Sequence, residues 1–267
     1  MLNDWMQNES LDRISQVLNV IYDLRMVTKS QLMAITGLHE HNLNDLIKRI
    51  RKLPSDEPTD WLTTAQIRLN RKINVVYALG KRAIQHVQLQ RKQEVRLREA
   101  PGAQMFHFVG INSILTRAIG VFGRNSVAWY TEGEQADILY LMLKEIEHAE
   151  PDRRSIIRPD ARLRIENKDW FIEFDNATEG PRQLEIKFHR YVELYRRLGN
   201  MRNTPILWVT TTAKRRDYLQ KNWEATLNVS YEHQKDLPSS LFMVEGEDTE
   251  YIRKVFEPSR SIPTLHE

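Results

Sequence analysis

The chain has 267 residues, 41% hydrophobic and 28% charged, a composition that supports a folded core and excludes a disordered polymer. It contains no cysteine, which excludes disulfide scaffolds, thiolate metal sites and thiol nucleophiles. The formal net charge of +3 is unevenly spread. Residues 1–98 carry 16 Lys and Arg against 10 Asp and Glu, and residues 99–267 carry 23 against 26. A basic front on an acidic back points to a polyanionic partner for the first part. The opening Met1-Leu2-Asn3-Asp4-Trp5 has neither the basic start nor the apolar run of a signal peptide, and the apolar stretches read as too short to span a bilayer. The expectation is a cytoplasmic protein with no membrane partner.

In chain order, Ser10 reads as an N-cap, followed by Leu11, Ile14, Val17, Leu18, Ile21 and Leu24 at helical spacing. Thr28-Lys29-Ser30 caps a short second helix, Gln31 to Thr36, which Gly37 ends. A third helix runs from about Glu40 to Leu53 and buries Leu43, Leu46, Ile47 and Ile50; Pro54 stops it. Its other face shows His41, Asn44, Lys48, Arg49, Arg51 and Lys52, residue types suited to base edges and phosphates. A hairpin follows, with Ile73, Val75, Tyr77 and Leu79 alternating in its return strand and Asn70-Arg71-Lys72 at its tip. Three helices and a basic hairpin read as a winged helix-turn-helix, with Arg71 and Lys72 placed to touch phosphates. A further helix from Lys81 to about Arg98 carries Arg91, Lys92, Arg96 and Arg98, as an extension of the basic surface or a charged connector. Glu99-Ala100-Pro101-Gly102 breaks the chain.

The second part opens with a helix from about Gln104 to Phe122 and a short strand, Val127 to Tyr130. Next come two alternating strands, Arg158 to Ile165 and Trp170 to Asp175, around a turn of Asn167-Lys168-Asp169. Ala161, Leu163 and Ile165 share a face with Trp170, Ile172 and Phe174. Asp160, Arg162 and Arg164 share the other with Glu173 and Asp175. With the turn centred near Lys168, residue 160 lies across from about 173–175, so three carboxylates converge at the open end. Like charges that close repel and are stable together around a divalent cation. After Gly180-Pro181 a helix runs to about Leu198, with Gln183, Lys187 and Tyr191 on one side. A strand at Pro205–Thr210, a helix from Lys214 to about Trp223 and a strand at Leu241–Val244 complete a mixed sheet covered by helices.

The unit Pro159-Asp160, Glu173-x-Asp175, Thr178-Glu179, Lys187 and Tyr191 resembles the replication-relaxation family, which includes MobC-type plasmid mobilisation relaxases. His107 and Asn112 also look like family positions. The resemblance implies an α+β front and an α/β back: a winged helix over 1–98 and a restriction-endonuclease-like mixed-sheet domain of the PD-(D/E)xK type over 103–257; the tail over 258–267 reads as flexible from its own residues. It implies a metal-dependent DNA endonuclease, a nickase acting on double-stranded DNA at a plasmid origin beside other relaxosome or replication proteins. Asp160, Glu173 and Asp175 would hold Mg²⁺ or Mn²⁺, and Lys187 would complete the catalytic set. Asp175 stands where the nuclease signature has lysine, and Lys187 is the substitute. The alternatives are a non-catalytic replication initiator or relaxosome accessory, and a transcription regulator on the same winged helix. His39-Glu40-His41 reads as surface, and Tyr191 and Tyr195 as packing or hydrogen-bonding residues rather than nucleophiles.

Overall fold

The structure, a computed structural model, describes Leu2 and residues 10–69, 71–94, 102–198, 204–230 and 239–256. Asn70, Arg96, Arg98 and the tail over 258–267 lie outside the described residues. The first helix, α1 (Arg13–Leu24), is capped by Asp12 rather than Ser10: the Asp12 carboxylate accepts from the Ile14 and Ser15 N–H groups. A short strand, β1 (Met26–Thr28), then leads into α2 (Lys29–Thr36). Thr28 and Gln31 form a capping box there, and Gly37 ends the helix at φ +68. Helix α3 (Glu40–Arg51) buries Leu43, Leu46, Ile47 and Ile50, as its spacing predicts. The hairpin β2 (Leu62–Leu69) and β3 (Lys72–Leu79) follows, and β1 pairs antiparallel with β3 to complete a three-stranded sheet in the order β1-β3-β2.

Two readings of this region need correction. The expected alternation of β3 does not hold: at its base Tyr77 and Leu79 are buried, but so are Val76 and Ala78, while farther out Ile73 and Val75 are exposed. The base is sandwiched between helices on both faces, which removes the solvent side. The helix α4 (Lys81–Gln90) also stops well short of residue 98. Arg91 turns back into the fold, pairing with Asp23 at 2.6 Å, donating to Asn19 Oδ1 at 2.7 Å and covering the Tyr22 ring. Arg91 therefore belongs to the core of this unit and not to its basic surface.

Helix α5 (Met105–Phe122) joins the two halves. With the turn before it, Gly102–Phe122 is 21 residues long and, on length and composition, apolar enough to cross a membrane, contrary to the sequence expectation. Its Val109, Ile114, Leu115 and Ala118 are buried between the small sheet and the large one. Asn112 donates to the carbonyls of Leu24 and Met26, and Gln31 donates to the Val109 carbonyl. The main hydrophobic core runs unbroken from α1 through α5 into the large sheet.

The large sheet has the order β4 (Val127–Thr131), β5 (Ala161–Ile165), β6 (Lys168–Asp175), β7 (Ile206–Thr210), β8 (Ser240–Val244). The first three strands are antiparallel, and β6, β7 and β8 are parallel, so β6 to β7 crosses over through α7 (Pro181–Leu198). The next crossover uses α8 (Ala213–Ser230), which is longer than the helix read from the sequence. Two helices escaped that reading, α6 (Glu132–Glu147) after β4 and α9 (Glu247–Phe256) at the end. Helices α5 and α9 cover one face of the sheet and α6, α7 and α8 the other. Arg117 of α5 holds α9 through a bidentate pair with the buried Asp248.

Gly110 lets α5 approach the sheet: a Cβ there would lie 2.1 Å from the Phe174 ring. Gly110→Ala is expected to cost about 1–3 kcal/mol, the range for an overpacked core. Phe174→Leu in the same chain should recover part of it, as read from urea midpoints. Equal midpoints for wild type and Gly110→Ala would show that the contact is not tight.

Candidate functional site

The β5–β6 hairpin turns on Glu166 and Asn167, with Ile165 opposite Lys168 and Glu166 in the left-handed region at φ +53. The turn thus sits earlier than Asn167-Lys168-Asp169, and Lys168 and Asp169 belong to β6. The faces follow the sequence reading: Ala161, Leu163, Ile165, Trp170, Ile172 and Phe174 all enter the main core. Ala161 pairs with Ile172, so Asp160, one step beyond the ladder, lies beside Glu173.

On the polar face, Asp169 receives both Arg162 and Arg164, at 2.7 and 2.8 Å. Burial pushes the Asp169 carboxyl up, but the two guanidinium groups outweigh it and hold it below its usual range. A carboxyl held low stabilises the fold above its ordinary range and loses that contribution as pH falls through the lowered value. Asp169→Asn should therefore lower stability at neutral pH and flatten the loss of stability below about pH 4. Urea midpoints across the acid range check this; parallel curves for the two proteins would refute it.

The three candidate ligands take separate partners. The Asp160 carboxylate accepts from the Phe174 N–H at 2.8 Å and meets His107 Nε2 of α5 at 3.2 Å. Burial raises the Asp160 carboxyl, yet His107, Lys187 and the Phe174 N–H together hold it below the usual range. Burial likewise lowers His107, and Asp160 more than offsets this. Glu173, 1% exposed, accepts from Lys187 Nζ at 3.0 Å and from the Tyr191 hydroxyl at 2.5 Å. Its burial drives the carboxyl up to about 8 against the charge of Lys187, with Asp160 adding to the rise. Asp175, also buried, accepts from the Ala177 N–H at 2.6 Å and pairs with Arg215 at 2.8 Å.

Lys187 also reaches Glu179 at 2.8 Å, so this lysine of α7 bridges two carboxylates. Burial pushes its ammonium down, but Glu173, Asp160 and Glu179 raise it above its ordinary value, and it stays charged. Tyr191 and Tyr195 are buried, and Tyr195 donates to the Thr204 carbonyl. Burial raises both phenols well above their ordinary value, with Glu173 adding to the rise at Tyr191. Neither is poised as a phenolate nucleophile.

These donors do not fit a divalent ion as they stand. Asp160 and Glu173 are neighbours, but Asp175 is drawn off to Arg215, and each of the three carboxylates already holds a positive or N–H partner. Among the described residues no three His, Asp or Glu side chains come together to hold a metal. The repulsion that would call for a metal is relieved by His107, Lys187 and Arg215. Arg215 was missed because its contact depends on β6 and β7 being parallel neighbours: Asp175 pairs with Thr210, and the chain entering α8 then passes directly over it. The only signal in sequence was the run Lys214-Arg215-Arg216 after a strand.

The DNA-contact candidates lie in the N-terminal unit. His41, Lys48, Arg49, Arg51 and Lys52 are exposed on α3, with Asn44 half-buried beside them. Asp45 sits among them, 3.2 Å from both His41 and Lys48. Arg71, in the left-handed region at φ +65, and Lys72 are exposed at the β2–β3 turn.

No curated protein and no solved structure matches the chain. The replication-relaxation family matches it over residues 18–206, from α1 through both the α3 helix and the Asp160–Lys187 cluster to the start of β7. That span is more than two thirds of the chain, and the chain belongs to the replication-relaxation family.

Proposed function

We propose that this protein binds duplex DNA at a plasmid origin through α3 and the β2–β3 hairpin. Membership of the family suggests a role in plasmid replication or processing. One observation carries the finer reading: α3 buries a full apolar face while its free face shows Lys48, Arg49, Arg51 and Lys52 to solvent. The order α1-β1-α2-α3-β2-β3, with β1 closing the small sheet, supports a winged helix-turn-helix in which α3 enters the major groove. Arg49 and Asn44 then reach base edges, and Arg71 and Lys72 rest on phosphates. Selection of bound duplexes from a random pool, repeated with Asn44→Ala and Arg49→Ala, tests this. Enrichment of one site by the wild type, blunted in both variants, is expected. No enrichment of any duplex would end the reading.

Strand scission is a second reading, favoured by the reach of Lys187 to Glu173 beside Asp160 on a five-stranded mixed sheet. Its test is nicking of supercoiled plasmid with Mg²⁺ or Mn²⁺, by wild type, Asp160→Asn and Glu173→Gln. Nicking by the wild type alone would establish it. Without nicking, the protein acts as a replication initiator or relaxosome accessory that recruits other proteins to the bound origin.

A further inference from the structure

Helix α2 is held at both ends by parts of the chain that lie beyond the break at residues 99–102. At its start, the Gln31 side chain, which closes the capping box with Thr28, also donates to α5. It reaches the Val109 carbonyl at 2.8 Å and Ser113 Oγ at 3.0 Å. At its end stands Gly37, in the left-handed region at φ +68, its N–H given to the Met33 carbonyl. A Cβ built on Gly37 would fall on the Arg124 guanidinium, meeting Cζ and both Nη atoms at nearly equal distances. Equal approach to three atoms of one flat group means that the guanidinium lies broadside on the glycine.

The backbone that carries Arg124 is fixed by the large sheet. Arg124 opens the short 3₁₀ turn Arg124–Ser126 between α5 and β4. Just before it, the Gly123 N–H is bonded to the Ile119 carbonyl of α5. Just after it, Val127 is buried in the main core and paired with Ile165. A cation at the end of a helix is also favoured by the carbonyls that such an end leaves unpaired. Gly37 thus meets two needs: it supplies the positive φ, and it leaves the room that the guanidinium fills. Leu38 and His39 follow, and α3 begins at Glu40, so Arg124 bears on the turn that sets the angle between α2 and α3.

We propose that Arg124 is a positioning residue for DNA recognition: lying across Gly37, it fixes the turn from α2 into α3 and thereby the pose of α3 in the major groove. This rests on the DNA-binding reading above. The recognition surface is then built from both sides of the break, and residues 1–98 hold only part of it. Base-edge contacts need their side chains held to within about 0.5 Å, whereas long cations can follow a displaced phosphate. Loss of Arg124 therefore costs selectivity before it costs general affinity.

The test uses the full chain and measures affinity for its selected duplex and for random duplexes across a salt series. Arg124→Ala should bind the selected duplex roughly tenfold more weakly, the scale of one lost base-edge contact. Its affinity for random duplexes and its salt slope should match the wild type's. Arg124→Lys should not restore selectivity, since a point charge on a flexible stem cannot lie flat on the glycine. Gly37→Asn tolerates the left-handed backbone but puts a Cβ where the guanidinium lies, so it should match Arg124→Ala. Together, Gly37→Asn and Arg124→Ala should lose no more than either alone, because they break one contact. Wild-type selectivity in either Arg124 variant, or additive losses in the double variant, would overturn the proposal. So would a fall shared equally by selected and random duplexes. With a lower salt slope that lysine repairs, such a fall makes Arg124 a phosphate contact; with an unchanged slope, it makes Arg124 a folding residue alone. A wild type that selects no duplex would instead overturn the DNA-binding reading, and this inference with it.

Discussion

Arg71→Gln with Lys72→Gln is expected to weaken binding to every duplex by a similar factor. It should also lower the slope of log affinity against log salt by about 2. Each phosphate neutralised by a cation releases condensed counterions and contributes about 0.9 to that slope. Both residues are exposed at a two-residue turn, so their removal disturbs no packing. The effect differs in kind from that of Asn44→Ala or Arg49→Ala, which should cost about 1–3 kcal/mol at the preferred site and far less elsewhere. Fluorescence anisotropy across a salt series separates the two patterns. An unchanged slope in the hairpin variant would remove Arg71 and Lys72 from the interface.

Lys187→Met should lower stability by about 1–3 kcal/mol, because it takes a hydrogen-bond partner from the buried Glu173, whose carboxyl, already raised to about 8, then holds its proton. Pairing it with Glu173→Gln should recover part of that loss, since the amide cannot ionise and can still accept from Tyr191. Urea unfolding of the single and double variants gives the comparison. The same substitution probes the metal question. In the wild type, His107, Lys187 and Arg215 already neutralise the acids, so millimolar Mn²⁺ should leave the melting temperature unchanged. Lys187→Met vacates a site between Glu173, Glu179 and Asp160, and there Mn²⁺ should raise it by mass action. A rise in the wild type that disappears in Asp160→Asn would show that the acids give up their present partners to hold a cation.

Several features were legible from residues alone because their causes are local. The buried stripe Leu43-Leu46-Ile47-Ile50 and the stop at Pro54 bounded α3 to within two residues. The Thr28 and Gly37 signals located α2 because capping and left-handed geometry are properties of single residues and their immediate neighbours. Period-two alternation assigned the faces of β5 and β6, and placing the turn near Lys168 was enough to bring Asp160 to Glu173. The start of α1 was misread because Ser10 and Asp12 are both good caps. The cap that faces the Ile14 and Ser15 N–H groups is chosen by where the chain enters the core.

What the sequence determined by itself, then, was the set of amphipathic elements and the one antiparallel contact set by a short turn. Both depend on interactions within a few residues. The tertiary structure decided what the charges meet. Arg91 lies far from Asp23 in the chain but is paired with it in the core, so a residue that looked like part of a basic surface is not one. Asp175 looked like a third ligand beside Asp160 and Glu173, and it belongs to Arg215 because β7 lies parallel beside β6. Three carboxylates repel in any sequence, but whether a metal or the protein's own cations relieve that repulsion depends on which helices pack over the strand ends. That packing is governed by crossovers and burial spread over the whole chain, for which no short pattern of residues stands as a signal.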